Sequence, residues 1–360
     1  MKIYEVGGAV RDSFLGKNPR DIDYVVVGAT AEKMLSLGFI RVGKSFPVFL
    51  HPETKSEYAL ARKETKTGEK HTDFAFDFSP EISLNEDLQR RDFTCNALAK
   101  DIETGEIIDE VGGLNDIKNK VLRHINAEHF IEDPLRVLRM CRFAAQLDFF
   151  VAPETMKLAQ QMVASNMLKN LSAERFREEF LKALSSADFA RFLITLNECG
   201  ALKFLLPNFA EVFNKRQIRV LDLVKNSDTL LKFAVLFLEF NDVQKIKTDC
   251  KHIKMPERFC RFAIFLNKHL KYFSSRKKIS DDYLFELIKE LCRFKDFSAL
   301  EYFFNSLQTL QIEYGKSFER AKKIFALCNQ YKVNEMPDFS HLPKDCSLQR
   351  KYKGFILQKL

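Results

Sequence analysis

Several short stretches of this chain carry residue types that do chemistry on phosphates. In "PRDIDYVVVG", Asp21 and Asp23 stand one residue apart at the head of an apolar run. On a strand, residues so spaced face the same side, about 6.6 Å apart. Two hard carboxylates placed that way suit Mg²⁺, which keeps several waters and takes its remaining ligands from substrate phosphates. In two-metal phosphoryl transfer, one ion activates the attacking oxygen and the other stabilises the leaving group. A D-x-D pair alone is as readily a turn or a helix cap. Upstream, "GGAVRD" sets Gly7 and Gly8 between a strand and a helix, where bare backbone and the helix N-terminal amides can approach an anion. Arg11 falls in that first turn, suited to phosphate oxygens. "EDLQRRDFTCNALA" adds Arg90, Arg91, Asp92 and Asn96.

A fourth stretch, "EDPLRVLR", carries residues that could read a base. Pro134 suits a first helical position and Asp133 an N-cap, so Asp133, Arg136 and Arg139 would climb one helix face at i, i+3 spacing. They could simply be a capping aspartate with solvent-facing arginines paired to it. They could also discriminate. Cytosine and adenine offer an amino donor beside a ring-nitrogen acceptor; guanine and uracil offer a carbonyl beside an N–H. A carboxylate with a guanidinium accepts the first pair and leaves the second mispaired, at about 1–3 kcal/mol for each buried unpaired group.

These residues need a scaffold. The first ~120 residues read as short strands mixed with short helices. "KIYEVGG" is a strand running into glycines, "AVRDSFLG" a helix stopped at Gly16, and "DIDYVVVG" a strand buried on both faces. "FPVFLHPETKSEYALAR" and "AKDIETGEIIDEV" read as strand pairs joined by turns. From "EDPLRVLRMCRFAAQL" onward, apolar positions recur every three or four residues nearly to the C-terminus, so that part is helical. "FSSRKKISDD" is the expected exposed loop there. With 360 residues and 46% apolar composition, the chain can bury a large core divided into two or more domains.

Composition narrows the setting. No apolar run approaches the ~20 residues of a membrane helix, and "MKIYEVGG" lacks a signal-peptide layout. The eight cysteines include no C-x-x-C pair and read as reduced thiols of a cytoplasmic protein. Residues 1–140 hold 20 Lys and Arg against 24 Asp and Glu, a net −4, while residues 141–360 are net +12. An acidic front with a basic back suits a carboxylate site followed by a polyanion-binding body, although lysine-rich helices are usually only solvated faces.

The ordered set "GGAVRD", "DID", "RRDFTCNA", "EVGGLNDIKNKVLRHI" and "EDPLRVLR" resembles the class II tRNA nucleotidyltransferases and bacterial poly(A) polymerases, within the DNA polymerase β-like superfamily, over roughly the first 210 residues. The resemblance implies an α+β fold. A small polymerase-β-like head with a mixed sheet (residues 1–122) would precede an all-helical neck (123–212) and an all-helical body and tail (213–360). It implies template-free addition of nucleotides to RNA 3′ ends, with Mg²⁺ on Asp21 and Asp23 as the catalytic residues. By the same resemblance, Gly8, Arg11, Arg91, Asp92, Asp133, Arg136 and Arg139 would bind nucleotide. Arg91 would take the triphosphate, Asp92 the sugar hydroxyls, and Asp133 with Arg136 the base, while Arg139 would assist the nucleotide or its phosphates. Asn96 would support its loop, and "ARKETKTGEKHTDFAFDF" would be a flexible loop that helps switch from C to A. Asp109 with Gly112 and Gly113 looks like the hinge motif, or is only a strand-terminating residue.

"VGKSFPVFLHP" and "ALSSADFARFLITLNECGALKFLLPNF" resemble the CCA-adding branch of that family. The expected partners are tRNA, CTP and ATP, with no membrane, for a monomer or weak dimer. Relatives of this type often carry a C-terminal HD phosphohydrolase domain. Here none of the seven histidines is followed by Asp, and "FLEFNDVQK" stands where the metal motif would be, so no phosphatase activity is expected. The alternatives are a poly(A) polymerase, an enzyme adding only CC or only A, and a non-catalytic RNA-binding protein.

Overall fold

The computed structural model describes residues 1–19, 21–42, 47–66, 68, 74–275, 279–291, 299–330 and 353–359. It forms two compact units, Met1–Pro207 and Asn208–Leu360. The first opens with β1 (Lys2–Val6), α1 (Gly8–Phe14), β2 (Asp23–Val27), α2 (Ala31–Ser36), β3 (Ile40–Val42), β4 (Val48–Leu50) and β5 (Glu57–Leu60). It continues with β6 (Lys63–Lys66), β7 (Phe74–Asp77), α3 (Leu84–Gln89), β8 (Leu98–Asp101), β9 (Ile107–Asp109), α4 (Gly113–Lys118) and β10 (Val121–Leu122). Then come α5 (Ala127–Glu132), α6 (Leu135–Leu147), β11 (Phe150–Val151), α7 (Pro153–Ala164), α8 (Ala173–Leu184) and α9 (Phe189–Glu198).

A mixed sheet runs in the order β3-β4-β5-β2-β1-β8-β9, and β2–β5 is its parallel pair. The valines of β2 explain its central place. Val25 packs with Val6, Leu88 and Ala97 on one face, while Val26 packs with Met34, Phe49 and Leu60 on the other. β-Branched residues buried on both faces are what an interior strand requires. α3 starts on a capping box, Ser83 with Glu86, which satisfies two of the first-turn amides. Thr30 caps α2 in the same way through its hydroxyl.

Two features differ from the sequence reading. The polar loop contains a ribbon: β6 and β7 pair antiparallel, Lys63 with Asp77 through Lys66 with Phe74. The alternation in "FAFD" is enough to form a ribbon. Residues 67 and 69–73 of that segment, and residues 43–46 of "VGKSFPV", lie outside the described residues. The helical region also holds a short parallel pairing, Val121–Leu122 with Phe150–Val151. Two residues are too few for a periodic signal to show.

α6 is the spine of the helical part of this unit. Val137, Leu138, Met140, Cys141 and Ala144 are buried on it, and it packs against α8 and α9. The second unit is helical throughout its described residues. Its main helices span Lys215–Leu223, Val243–His252, Glu257–Ser274, Asp281–Leu291, Ala299–Thr309 and Ser317–Gln330. The expected loop "FSSRKKISDD" falls between two of these, with 276–278 outside the described residues. Asp242, in "FLEFNDVQK", caps the helix beginning at Val243 by accepting from Gln244 N–H.

Candidate nucleotide-binding site

One cavity of about 610 Å³ in the first unit gathers most of the residues singled out from sequence. Gly8, Arg11, Asp23, Arg91, Asp92, Asp133, Arg136 and Arg139 all line it.

The floor is the β1–α1 turn beside the first residue of β2. Gly7 adopts φ +74°, and a side chain there would stand 2.9 Å from Arg91 Nη1. Glycine is therefore needed twice, for the backbone and for the seat of a guanidinium. Asp23 pairs with Val6, the last residue of β1. Because β1 stops there, nothing extends the strand back to Asp21. Asp21 lies in a bend before β2, exposed, and does not line the cavity. The strand thus begins at Asp23, and Asp21 precedes it. Among the described residues, neither carboxylate has an ion-pair or hydrogen-bond partner, and no group of three Asp, Glu, His or Cys forms around them.

The wall comes from α3 and the turn after it. Asp87 is completely buried, yet it is an aspartate among arginines. Its Oδ1 accepts from Arg90 at 2.7 and 3.0 Å and from Arg62 N–H at 3.3 Å, and its Oδ2 accepts from Arg91 Nη2 at 3.2 Å. Burial raises the Asp87 carboxyl, but Arg90 and Arg91 outweigh that and hold it below the usual carboxylate range. Burial and the nearby Arg90 charge bring Arg62 down to about 10. Arg91 keeps one buried donor, Nε, with no partner.

Asp92 is fully engaged. Oδ1 accepts from Phe93 N–H at 2.9 Å and Asn96 Nδ2 at 3.0 Å, and Oδ2 accepts from Arg139 at 2.7 Å. Asn96 Oδ1 in turn accepts from Arg11 Nη1, so Arg11, Asn96, Asp92 and Arg139 form one chain. Burial opposes the charge on both Asp92 and Arg139, and each outweighs that burial for the other: Asp92 is lowered and Arg139 raised. The Phe143 ring lies under both Arg11 and Arg139, at 5.5 and 5.2 Å from their guanidinium carbons.

The rim is the start of α6. Its N-cap is Pro134, one residue later than expected, because Asp133 already closes α5. Asp133 still caps with its side chain, accepting from Leu135 N–H at 3.0 Å. Arg175, from α8, grips Asp133 at 2.9 and 3.2 Å. Arg136 donates to the main-chain carbonyls of His129, at 2.7 Å, and Arg90, at 2.9 Å. Burial lowers the Arg136 guanidinium, partly offset by Asp92 and Asp133. Asp109 turns out to be a cap, accepting from Gly113 and Leu114 N–H at 2.8 and 2.9 Å.

Asp87, Arg175 and Phe143 escaped the sequence reading. Asp87 had a usable signal, four and three residues before the arginine pair on a short helix. Arg175 meets Asp133 across 42 residues, and Phe143 occupies an ordinary helical core position. Neither has a local signature.

The geometry can be set beside known proteins. Residues 3–123 match the poly A polymerase head domain, and 148–213 match a probable RNA and SrmB-binding site of polymerase A. A multifunctional CCA protein of Vibrio vulnificus is 53% identical over 220 residues, covering 60% of this chain and 54% of that protein. The chain thus spans about half the length of such relatives. The multifunctional CCA protein of Pasteurella multocida is 42% identical over 352 residues, covering 94% of this chain and 80% of its own length. A solved tRNA-processing enzyme with CTP is similar over 99% of this chain and 95% of that one, at 25% identity and TM-score 0.66. A CCA-adding enzyme with ATP shares the fold at 22% identity and TM-score 0.71, over 99% and 85% of the two chains. The chain belongs to the tRNA nucleotidyltransferase and bacterial poly(A) polymerase family, among the multifunctional CCA proteins.

Proposed function

We propose that this chain adds CCA to the 3′ end of tRNA, using CTP and ATP and releasing pyrophosphate. The observation that carries the reading is one cavity presenting a carboxylate, an unsatisfied guanidinium donor and a base-edge pair together. Residues 1–122 are the catalytic head, 123–212 the base-selecting neck and 213–360 the body. The net +12 of residues 141–360 suits the tRNA backbone. The protein works in the cytoplasm, as a monomer or weak dimer.

The buried Nε of Arg91 is an orphan in this structure. A donor without a partner costs about 1–3 kcal/mol, and a triphosphate oxygen would satisfy it. Arg11, held by Asn96 on the Phe143 ring, supplies a second guanidinium for the same phosphates. Asp92 orients Arg139 and Asn96, and a sugar hydroxyl would share its oxygens with them. Asp133 Oδ2 accepts only from Arg175, which leaves a lone pair for the amino group of C or A. Arg136 commits one N–H to each of two carbonyls and keeps donors for the ring nitrogen.

Asp21 and Asp23 fit divalent ions: both are hard, exposed and, among the described residues, without protein partners. Mg²⁺ suits such a donor set, with remaining ligands from phosphate and water. When bound, such ions activate the attacking ribose hydroxyl and stabilise the departing oxygen.

Single labelled nucleotides should be offered, with Mg²⁺, to tRNA transcripts ending before C74, after C75 and after A76. Two C and one A, then a stop, is the expected result. Long A tails would move the chain to the poly(A) branch. A stop after CC, or A added only to the CC-ended transcript, would mean a partial enzyme. No incorporation from any end would overturn the reading.

A further inference from the structure

The cavity concentrates positive charge, and within its wall one negative group is completely buried. Asp87 contributes nothing to the lining of the cavity, yet it touches Arg90, Arg91 and the backbone of Arg62. A carboxylate so placed needs partners, because an unpaired buried charge is far more costly than a paired one. It has them on both oxygens.

From this geometry we infer that Asp87 is a positioning residue for triphosphate recognition, acting through Arg91. The inference rests on the proposed nucleotide role of the cavity. Three observations support it. Asp87 holds Arg91 by a single terminal nitrogen, Nη2, at 3.2 Å. The rest of that guanidinium is turned away from Asp87: Nη1 lies against the Gly7 turn, 3.4 Å from the carbonyl of Asn96, and Nε is buried without a partner. A planar guanidinium held at both terminal nitrogens, by Asp87 and by the Asn96 carbonyl, has its plane fixed and its remaining N–H groups aimed in a set direction, as phosphate binding requires. Finally, Arg90 takes the greater share of Asp87, with contacts at 2.7 and 3.0 Å, and is further held by Glu64 at 2.8 Å. Arg90 thereby fixes the carboxylate that fixes Arg91.

Charge counting and positioning predict opposite signs. If Asp87 mattered only as a negative charge near an anion site, its neutralisation would tighten triphosphate binding. If it positions Arg91, the same change lets the guanidinium swing and weakens binding.

The test is Asp87→Asn in the full chain, with KM for CTP and ATP, kcat, and inhibition by inorganic pyrophosphate. The expected result is KM and the pyrophosphate inhibition constant both raised about tenfold or more, with kcat at saturating nucleotide changed much less. In an Arg91→Gln background, Asp87→Asn should add little, since its route of action is already gone. Unchanged or lower KM would overturn the inference. So would a fall in kcat alone, which marks a structural role, or full additivity with Arg91→Gln. If wild-type protein binds no CTP or ATP, the functional reading itself fails. Should Asp87→Asn not fold, a crystal structure of the wild-type protein with CTP decides. The Asp87–Arg91 contact is expected to persist with Arg91 Nε on a phosphate oxygen; a broken contact would overturn the inference.

Discussion

The cavity of the first unit and the interior of the second are held by different contacts. The cavity within residues 1–207 is held by opposite charges: Asp87 with Arg90 and Arg91, Asp92 with Arg139, Asp133 with Arg175. The interior of residues 208–360 is held by rings. Phe233 meets Phe237 and Phe259 edge-on, and Phe303 does the same with Phe265, Phe273 and Phe304. Its buried polar groups serve the backbone or one another. Asn267 donates to the carbonyls of Phe237, Leu238 and Phe240, and Asp249 accepts from the amides of Asn208 and Phe209. His269 donates Nε2–H to Glu290 and accepts at Nδ1 from the Tyr283 hydroxyl, both at 2.6 Å. Burial outweighs Glu290 and lowers this imidazole, so the Glu290 contact is a hydrogen bond to a neutral ring near pH 7. Charge pairs impose directions on side chains, as a binding site needs; ring packing fills volume and specifies shape.

The comparison breaks if substitutions in the first unit act mainly on stability or those in the second mainly on chemistry. The largest effect belongs to Asp23→Ala, expected to lower incorporation about a thousandfold or more while tRNA binding and the melting temperature hold. Normal turnover would remove the metal-site assignment. Next is Asp133→Ala, expected to raise UTP or GTP misincorporation relative to CTP about tenfold or more; unchanged selectivity would count against base reading.

In the second unit, Asn267→Leu leaves buried carbonyls unpaired. It should cost about 2 kcal/mol and lower the melting temperature by about 5 °C, with nucleotide KM per folded molecule unchanged. A shifted KM would mean the ring-packed unit feeds the site. The smallest effect is on pH. His269 has a lowered folded pKa, so its contribution is whole above the ordinary imidazole range and fades as pH falls through it. Asp87 and Asp92 are lowered acids, so theirs persists until pH drops below the ordinary aspartate range. Hydrogen exchange at pH 7.5 and 5.5 should show protection falling around His269, and around the similarly lowered His124, while the segments of Asp87 and Asp92 keep theirs. Loss at the aspartate segments first would contradict the assignment.

The same contrast governs what was legible in the sequence. β1, the glycine turn, α1 and β2 were readable because each local cue agrees with its place in the sheet: a stop after Val6, Gly7 at positive φ, and valines destined for both faces. The arginines and aspartates of the site were readable as ordered motifs. What holds them was not. Arg175 reaches Asp133, and Arg136 reaches the carbonyl of Arg90, 46 residues back, through folding alone. The strand of "DIDYVVVG" was read from Asp21, but it begins at Asp23, where β1 supplies a partner. In the second unit, helical periodicity announced helices but carried nothing about which rings would meet.

One feature of the rim bears on how such a protein can change over time. The hydrogen bonds of Arg136 go to two main-chain oxygens, of residues 129 and 90. Every amino acid brings the same carbonyl. Under the proposed reading, a change of side chain at either position leaves the hold on Arg136 in place, even where, as at Arg90, the side chain itself serves Asp87. The alphabet this chain writes is then guarded by peptide units, which no point mutation deletes.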